Sequence, residues 1–261
     1  YRSDSSDKSY ISNKFVTTIF EDSNNTVWVG TVDGLNQYMR SNDAFIHWKE
    51  VDGLSNGYIT SIAEDNQRNL WIGTYFTGIT KYNLDSNTFS YHLFEAENRT
   101  SLSANRVYKL HFTPNFGMWA GTNESLSLYR ANEGEFLHYK HINSVPESIL
   151  TDKIRVIMED DSGTLWFGGV GGASYFNILD KGFKHIKHIP NEINSLIDKQ
   201  TRAIFEDSRG LVWVGTENGI TSVDRVNKVY THYNSKIASH FGDEVTAIIE
   251  DRQGNMWFGY Y

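Results

Sequence analysis

Apolar residues along this chain gather in runs of about five, rich in aromatic and β-branched types and separated by short polar stretches of Gly, Asn, Asp and Ser. Such runs predict strands, because an amphipathic helix would return its apolar positions every three to four residues. The runs are phased by tryptophan. Trp28, Trp71, Trp119, Trp166, Trp213 and Trp257 follow one another at intervals of 43, 48, 47, 47 and 44 residues, each with glycine two positions later. The first run of each period ends in an apolar residue nine before the tryptophan (Ile19, Ile62, Leu110, Ile157, Ile204, Ile248), and the second carries the tryptophan. The third starts at Leu35, Ile79, Leu126, Ala173 or Ile220, and the fourth at Phe45, Phe89, Phe136, Phe183 or Tyr230.

Four strands in a period of this length make one propeller blade. The pattern therefore predicts an all-β fold, a β-propeller of four-stranded antiparallel blades, with repeats over 14–49, 57–92, 104–140, 151–187, 199–234 and 242–261. The sixth repeat holds two strands, so the array is expected to be incomplete, five full blades plus a half blade of a larger propeller. Uncovered blade edges are seldom tolerated, and self-association or an open array is expected.

Composition sharpens this picture in a few respects. Aromatic residues at 14% supply large faces for sheet packing, and 21 glycines against 3 prolines suit many tight turns. There is no apolar run long enough to span a bilayer, and the polar opening YRSDSSDKSY lacks secretory character. The absence of cysteine excludes disulfides and thiol chemistry, and a net charge of -8 argues against nonspecific binding of nucleic acid or anionic membrane.

The repeated string, apolar-x-x-apolar-x-Glu-Asp-x-x-Gly-x-Leu-Trp-apolar-Gly-Thr, stands as TTIFEDSNNTVWVGTVDGLNQY, SIAEDNQRNLWIGTYFTGITKY and AIFEDSRGLVWVGTENGITSV. It resembles the two-component regulator propeller repeat across nearly the whole chain. Departures fall in the third repeat, HFTPNFGMWAGTNESLSLY, which lacks Glu-Asp, and in the fourth, where Gly169 replaces Thr. WD repeats, Asp boxes and kelch repeats fit worse, since Asp does not follow the tryptophans and a double glycine occurs in one copy alone. The resemblance implies the periplasmic sensing region of a hybrid histidine kinase, of the kind that detects oligosaccharides. It also implies a non-enzymatic fragment joined to the rest of a parent sensor chain.

The recurring polar residues read as structural. Each Glu-Asp pair (Glu21/Asp22, Glu64/Asp65, Glu159/Asp160, Glu206/Asp207, Glu250/Asp251) opens a hairpin turn, where an aspartate bonds nearby amides, and a catalytic pair would have no reason to occur in every blade. His47, His138, His185 and His232, with His92 one place along, lie on outer strands of separate blades, too far apart to share one metal. The phased tryptophans are expected in the core, whereas Trp48 is free to be a surface aromatic. GxSxG, Walker and HExxH motifs are absent, and GGVGGAS at 168–174 precedes no helix. No cofactor, metal or catalytic residue is predicted.

Ligands of propellers meet the end reached by fourth-to-first strand connections and second-to-third strand turns. The connections, among them EVDGLSNGYI, LFEAENRTSLSANRV, HINSVPESILTDKI, HIPNEINSLIDKQT and NSKIASHFGDEV, are long and dissimilar. Positions thirteen and eleven before each tryptophan read Phe15/Thr17, Tyr58/Thr60, Arg106/Tyr108, Lys153/Arg155, Gln200/Arg202 and Glu244/Thr246. Four cations suit carboxylate or sulfate groups, and Tyr58 and Tyr108, with Tyr75 and Phe76 on the one lengthened turn, offer flat faces to sugar rings. The candidate binding residues are therefore Tyr58, Tyr75, Phe76, Arg106, Tyr108, Lys153, Arg155, Gln200 and Arg202, with an oligosaccharide, acidic ones included, as ligand. The competing readings are a dimerising interaction scaffold without small ligand and a carbohydrate-active enzyme drawing on Asp152, Asp243 and Glu244.

Overall fold

The computed structural model describes residues 9–176, 182–236 and 242–261. Part of the polar opening, residues 177–181 of the fourth repeat and residues 237–241 of the last connection lie outside the described residues. The chain divides into two compact units, Tyr1–His138 and Tyr139–Tyr261.

The first unit holds three antiparallel sheets. They are β1 (Val16–Glu21), β2 (Val27–Thr31), β3 (Gly34–Met39) and β4 (Ala44–Trp48); β5 (Ile59–Glu64), β6 (Asn69–Thr74), β7 (Ile79–Asn83) and β8 (Thr88–His92); and β9 (Val107–Thr113), β10 (Gly117–Thr122), β11 (Leu126–Arg130) and β12 (Glu135–Tyr139). The second holds β13 (Ile154–Glu159), β14 (Leu165–Gly169), β15 (Gly172–Phe176) and β16 (Lys184–Lys187); β17 (Thr201–Glu206), β18 (Val212–Thr216), β19 (Gly219–Asp224) and β20 (Val229–Tyr233); and the pair β21 (Val245–Glu250) and β22 (Met256–Tyr260). Each sheet is a sequential meander, the order of a propeller blade. Third and fourth strands begin within one residue of the expected positions, and the first strands run two residues further, through the Glu of each Glu-Asp pair, or three in the third sheet, to Thr113. One 3-10 turn, Glu50–Asp52, is the helical element among the described residues.

The tryptophan and its glycine serve the packing of one sheet on the next. Trp28, Trp71, Trp119, Trp166 and Trp213 are at most 7% exposed, and four of the five pack within clusters that join successive sheets. A Cβ on Gly30, Gly73, Gly168 or Gly215 would lie 2.5–2.9 Å from Ile59, Val107, Thr201 or Val245 at the start of the following sheet. Glycine is needed there because the neighbouring strand occupies the side-chain space. Two tryptophans depart from expectation. Trp257 is 62% exposed, because its sheet has two strands and no described third strand beside them. Trp48 is half-buried against Trp28, Tyr82 and Phe89, at ring separations of 6.4, 5.3 and 6.3 Å. It belongs to the core of the first unit because its outer strand folds back over the junction of two sheets.

The Glu-Asp pairs divide their labour. In Asp22, Asp65, Asp160, Asp207 and Asp251, Oδ1 accepts the backbone N–H groups two and four residues on at 2.8–3.0 Å. Oδ2 accepts the indole N–H of the phased tryptophan at 2.7–2.9 Å. One carboxylate thus fixes both the turn and the rotamer of the core side chain. In the third repeat Thr113 Oγ1 takes the indole of Trp119 at 3.1 Å, so a hydroxyl stands in for the missing aspartate. The glutamates reach the preceding sheet: Glu64 accepts Ser23 N and Oγ, Glu206 accepts Asp161 N, and Glu250 accepts Ser208 N and Oγ, at 2.7–2.8 Å.

Candidate functional site: the rim of the blades

Opposite those turns lie the second-to-third strand turns and the fourth-to-first connections. The connections are less dissimilar than their sequences suggest. Ile11, Leu54, Leu102, Ile149 and Leu196, each seventeen before its tryptophan, are buried. The next residue of each is tied to a buried polar side chain on the third strand. Ser12 N donates to Asn36 Oδ1, Ser55 N to Thr80 Oγ1, Leu150 N to Ser174 Oγ and Ile197 N to Thr221 Oγ1, at 2.7–3.0 Å, and Ser103 Oγ meets Ser127 Oγ at 2.9 Å.

The outer-strand histidines belong to the same fastening. His47, His185 and His232 place Nε2 against the carbonyls of Tyr10, Pro146 and Ser195 at 2.6–3.0 Å, while His138 and His185 place Nδ1 against Ser127 and Ser174. In the second sheet Tyr91 fills this place, its hydroxyl donating to Gly53 O at 2.9 Å. His92, one place along, stacks on Trp71 at 5.0 Å, and burial, with the charge of Lys81, pushes its pKa down to about 4. This leaves the histidines as structural ties, and no group of metal-ligating side chains forms among the described residues. The constant spacing of an aliphatic residue seventeen before each tryptophan was the sequence signal for the fastening.

Between these anchors and the first strands stand the candidate ligand residues. In the first unit five of them form one cluster. Tyr58 and Tyr75 stack at 4.8 Å and 15°, Phe76 meets both edge-on at 6.1 and 4.9 Å, and Tyr108 meets Tyr75 edge-on at 6.5 Å. The Arg106 guanidinium lies over the Tyr75 ring at 4.4 Å and has no carboxylate partner among the described residues. Tyr75 N donates to Tyr58 O at 3.0 Å, so this turn, one residue longer than its counterparts, is pinned to the entry of the first strand. Phe76 is 56% exposed and the other four are half-buried, giving a solvent-facing aromatic platform with a cation on it.

The second unit arranges its candidates differently. Arg202 is ion-paired with Glu217 and, at 3.2 Å, with Glu244, so its charge is already met twice. Gln200 forms an isolated bridge with Val170. Lys153 and Arg155 precede and enter β13, where Lys153 O crowds Gly169, explaining the departure from Thr in that repeat. Buried polar atoms without partners remain at Arg155 Nε, Gln200 Oε1 and Arg202 Nε. Of the carboxylates considered for catalysis, Asp152 accepts His141 N at 2.7 Å, Asp243 accepts Ser235 Oγ at 2.8 Å and Glu244 pairs with Arg202.

Against known proteins, the family model described as two component regulator propeller matches residues 9–33, 53–76, 195–218 and 239–261. The stretches beginning at Gly53 and Ser195 open beside the buried anchors Leu54 and Leu196, so the fastened half of the connection is part of the repeat. No protein of curated function matches the chain by sequence. Among solved structures, similar folds include the extracellular domain of a protein described as a hybrid two component system from B. thetaiotaomicron. It is 24% identical with a TM-score of 0.76, over 96% of this chain and 33% of that one. Streptogramin B lyase (16% identity, TM-score 0.69, 94% of this chain and 76% of that one) and PorZ of Porphyromonas gingivalis, a component of the type-IX secretion system (16%, 0.68, 94% and 37%), share the fold. The chain spans about a third of the length of the first of these structures. At such identities the shared feature is the fold. The repeats themselves carry the narrower likeness: four of the six match the two-component regulator propeller model.

Proposed function

We propose that this chain is the ligand-sensing propeller region of a two-component signalling protein, exposed outside the cytoplasm, and that it recognises an oligosaccharide at the Tyr58, Tyr75, Phe76, Arg106 and Tyr108 platform. The observation that carries the reading is Arg106, held over Tyr75 of the one lengthened rim turn and without a counter-ion among the described residues. Aromatic faces suit the C–H faces of sugar rings, and a half-buried guanidinium that lacks an internal acid suits a carboxylate or sulfate on them. Binding energy reaches a kinase in the rest of a parent chain if the ligand favours one arrangement of that chain over another.

Calorimetry with neutral and uronic or sulfated oligosaccharides tests the reading. Saturable binding weakened by Tyr75→Ala is the expected result, and absence of binding across such a panel would remove it. The scaffold reading rests on a separate observation, the exposed Val16, Ile19, Ile249 and Trp257 on the outermost sheets of the two units, and predicts self-association unaffected by Tyr75→Ala.

A further inference from the structure

On the flank of the second unit, away from the rim, a cleft of about 410 Å³ opens between the sheets β13–β16 and β17–β20. Its floor is apolar, made by the buried Ile186 and Val223. Its walls are Tyr175 and Tyr230, and its polar margin includes Asn194 and Lys228. Tyr175 is fixed from behind by stacking on Trp166 at 4.8 Å and 26°. Arg225 lies over the same indole at 5.4 Å, its charge spent on Asp160 at 2.6 Å and Glu206 at 2.5 Å.

Nearby acidic and imidazole groups are likewise occupied. Asp224 accepts the backbone N–H of Val226 and Asn227 and the Asn227 amide at 2.8–2.9 Å. His185 is held by Ser174 and Pro146. By contrast, the hydroxyls of Tyr175 and Tyr230, the Asn194 amide and the Lys228 ammonium have no hydrogen-bond or ionic partner among the described residues. The two phenols are neighbours: burial first, and then the charge of Tyr175, raise the pKa of Tyr230.

The corresponding cleft of the first unit, about 360 Å³ between β5–β8 and β9–β12, is built otherwise. Lys81 occupies the register position of Tyr175 beside the tryptophan, and Gly134 and Phe136 occupy those of Lys228 and Tyr230. Glu95, Glu133 and Glu135 line it. The frame is the same, and the side chains that differ are those that would touch a ligand.

We infer that the cleft between the fourth and fifth sheets is a second small-molecule site, taking a compound with one six-membered ring and one carboxylate. The ring lies against Tyr175 and Tyr230 over the aliphatic floor, and the carboxylate meets Lys228 and the free hydroxyl and amide tips. Such a ring is an aromatic acid or a sugar acid, and both carry the same recognised groups.

The test uses the whole chain with 4-hydroxybenzoate and with glucuronate as probes. Binding is followed by calorimetry and by protection of Lys228 from an amine-acylating reagent, read by mass spectrometry. We expect saturable binding of at least one probe, slower acylation of Lys228, and roughly tenfold weaker binding in Lys228→Gly. Glycine suits the left-handed backbone at that position, where φ is 57°, so the variant should fold. The Tyr175→Phe/Tyr230→Phe pair keeps the rings and should weaken binding several-fold. Binding of 4-hydroxybenzoate alone assigns an aromatic acid, and of glucuronate alone a sugar acid. Failure of both probes to bind below about 10 mM, or binding that Lys228→Gly leaves intact, overturns the inference. Tyr75→Ala should leave this binding unchanged, which keeps the outcome separate from that of the rim platform.

Discussion

The two ends of each blade obey different rules. Where first strands turn into second strands, Asp22, Asp65, Asp160, Asp207 and Asp251 make the same three bonds to two amides and one indole. At the opposite end, the entries to the first strands differ: in the first unit Arg106 lies over a tyrosine with no carboxylate partner among the described residues, and in the second Arg202, two positions further along the repeat, stands between two glutamates. Repetition marks the residues that hold the blades, and departure from it marks the surface open to recognition. The one lapse at the repeating end supports this: Thr113 replaces aspartate and still binds its tryptophan.

Removal of the base lock should have the largest effect. Asp160→Ala leaves the Trp166 N–H and two turn amides unpaired and takes from Arg225 one of its two carboxylates, and should cost about 3 kcal/mol in urea denaturation. Thr113→Ala, at the equivalent place, should cost about 1 kcal/mol. Equal losses would mean that the aspartate adds nothing beyond the indole bond. At the other end, Tyr75→Ala should weaken oligosaccharide binding by about tenfold while changing stability less than Asp160→Ala does. A large drop in melting temperature with unchanged binding would reassign the aromatic platform to packing.

Acid titration separates the two ends again. At Asp160 and Asp207 burial pulls the pKa up, but hydrogen bonds from Ser162, Trp166, Thr164 and Arg225, and from Trp213, Arg209 and Leu211, prevail and hold both below the usual carboxylate value. The folded state therefore binds these protons less readily than the unfolded chain. Their stabilisation is complete above the unfolded pKa and lost as pH falls through the folded one. His92 acts at higher pH. Its neutral form is favoured in the fold, so its contribution is whole above pH 6.5 and fades towards pH 4. Replacing His92 by Phe should flatten the stability profile between those values, and an unaltered profile would contradict the assignment.

The smallest effect concerns the turn itself. Asn25, Arg68, Gly163, Gly210 and Gly254, each three before the tryptophan, all have left-handed φ, from 60° to 82°. Arg68→Gly should relieve about 1 kcal/mol of backbone strain. It forfeits exposed contacts with Asn24 and Asp85 worth less than that, so a slight net gain in stability is expected.

Much of the fold was legible in the sequence because blade packing imposes it locally. A tryptophan must fill the space between sheets, and glycine two positions on must admit Ile59, Val107, Thr201 or Val245. The platform was legible in part: Tyr58, Tyr75, Phe76, Arg106 and Tyr108 come from adjacent repeats whose alignment brings the same rim positions side by side. What escaped were contacts set by unlike neighbours. The pairing of Arg202 depends on a turn residue, Glu217, and on the start of the next sheet, Glu244, and no repeat pattern relates them. Trp48 looked unphased and free, yet it closes the junction between the first two sheets through Tyr82 and Phe89.

The contrast between the two arginines offers the most direct test. Calorimetry of a carboxylated oligosaccharide against the wild-type chain, Arg106→Gln and Arg202→Gln should show affinity falling about tenfold with the first substitution and holding with the second. Equal losses from both, or a loss confined to Arg202→Gln, would contradict recognition at the aromatic platform of the first unit.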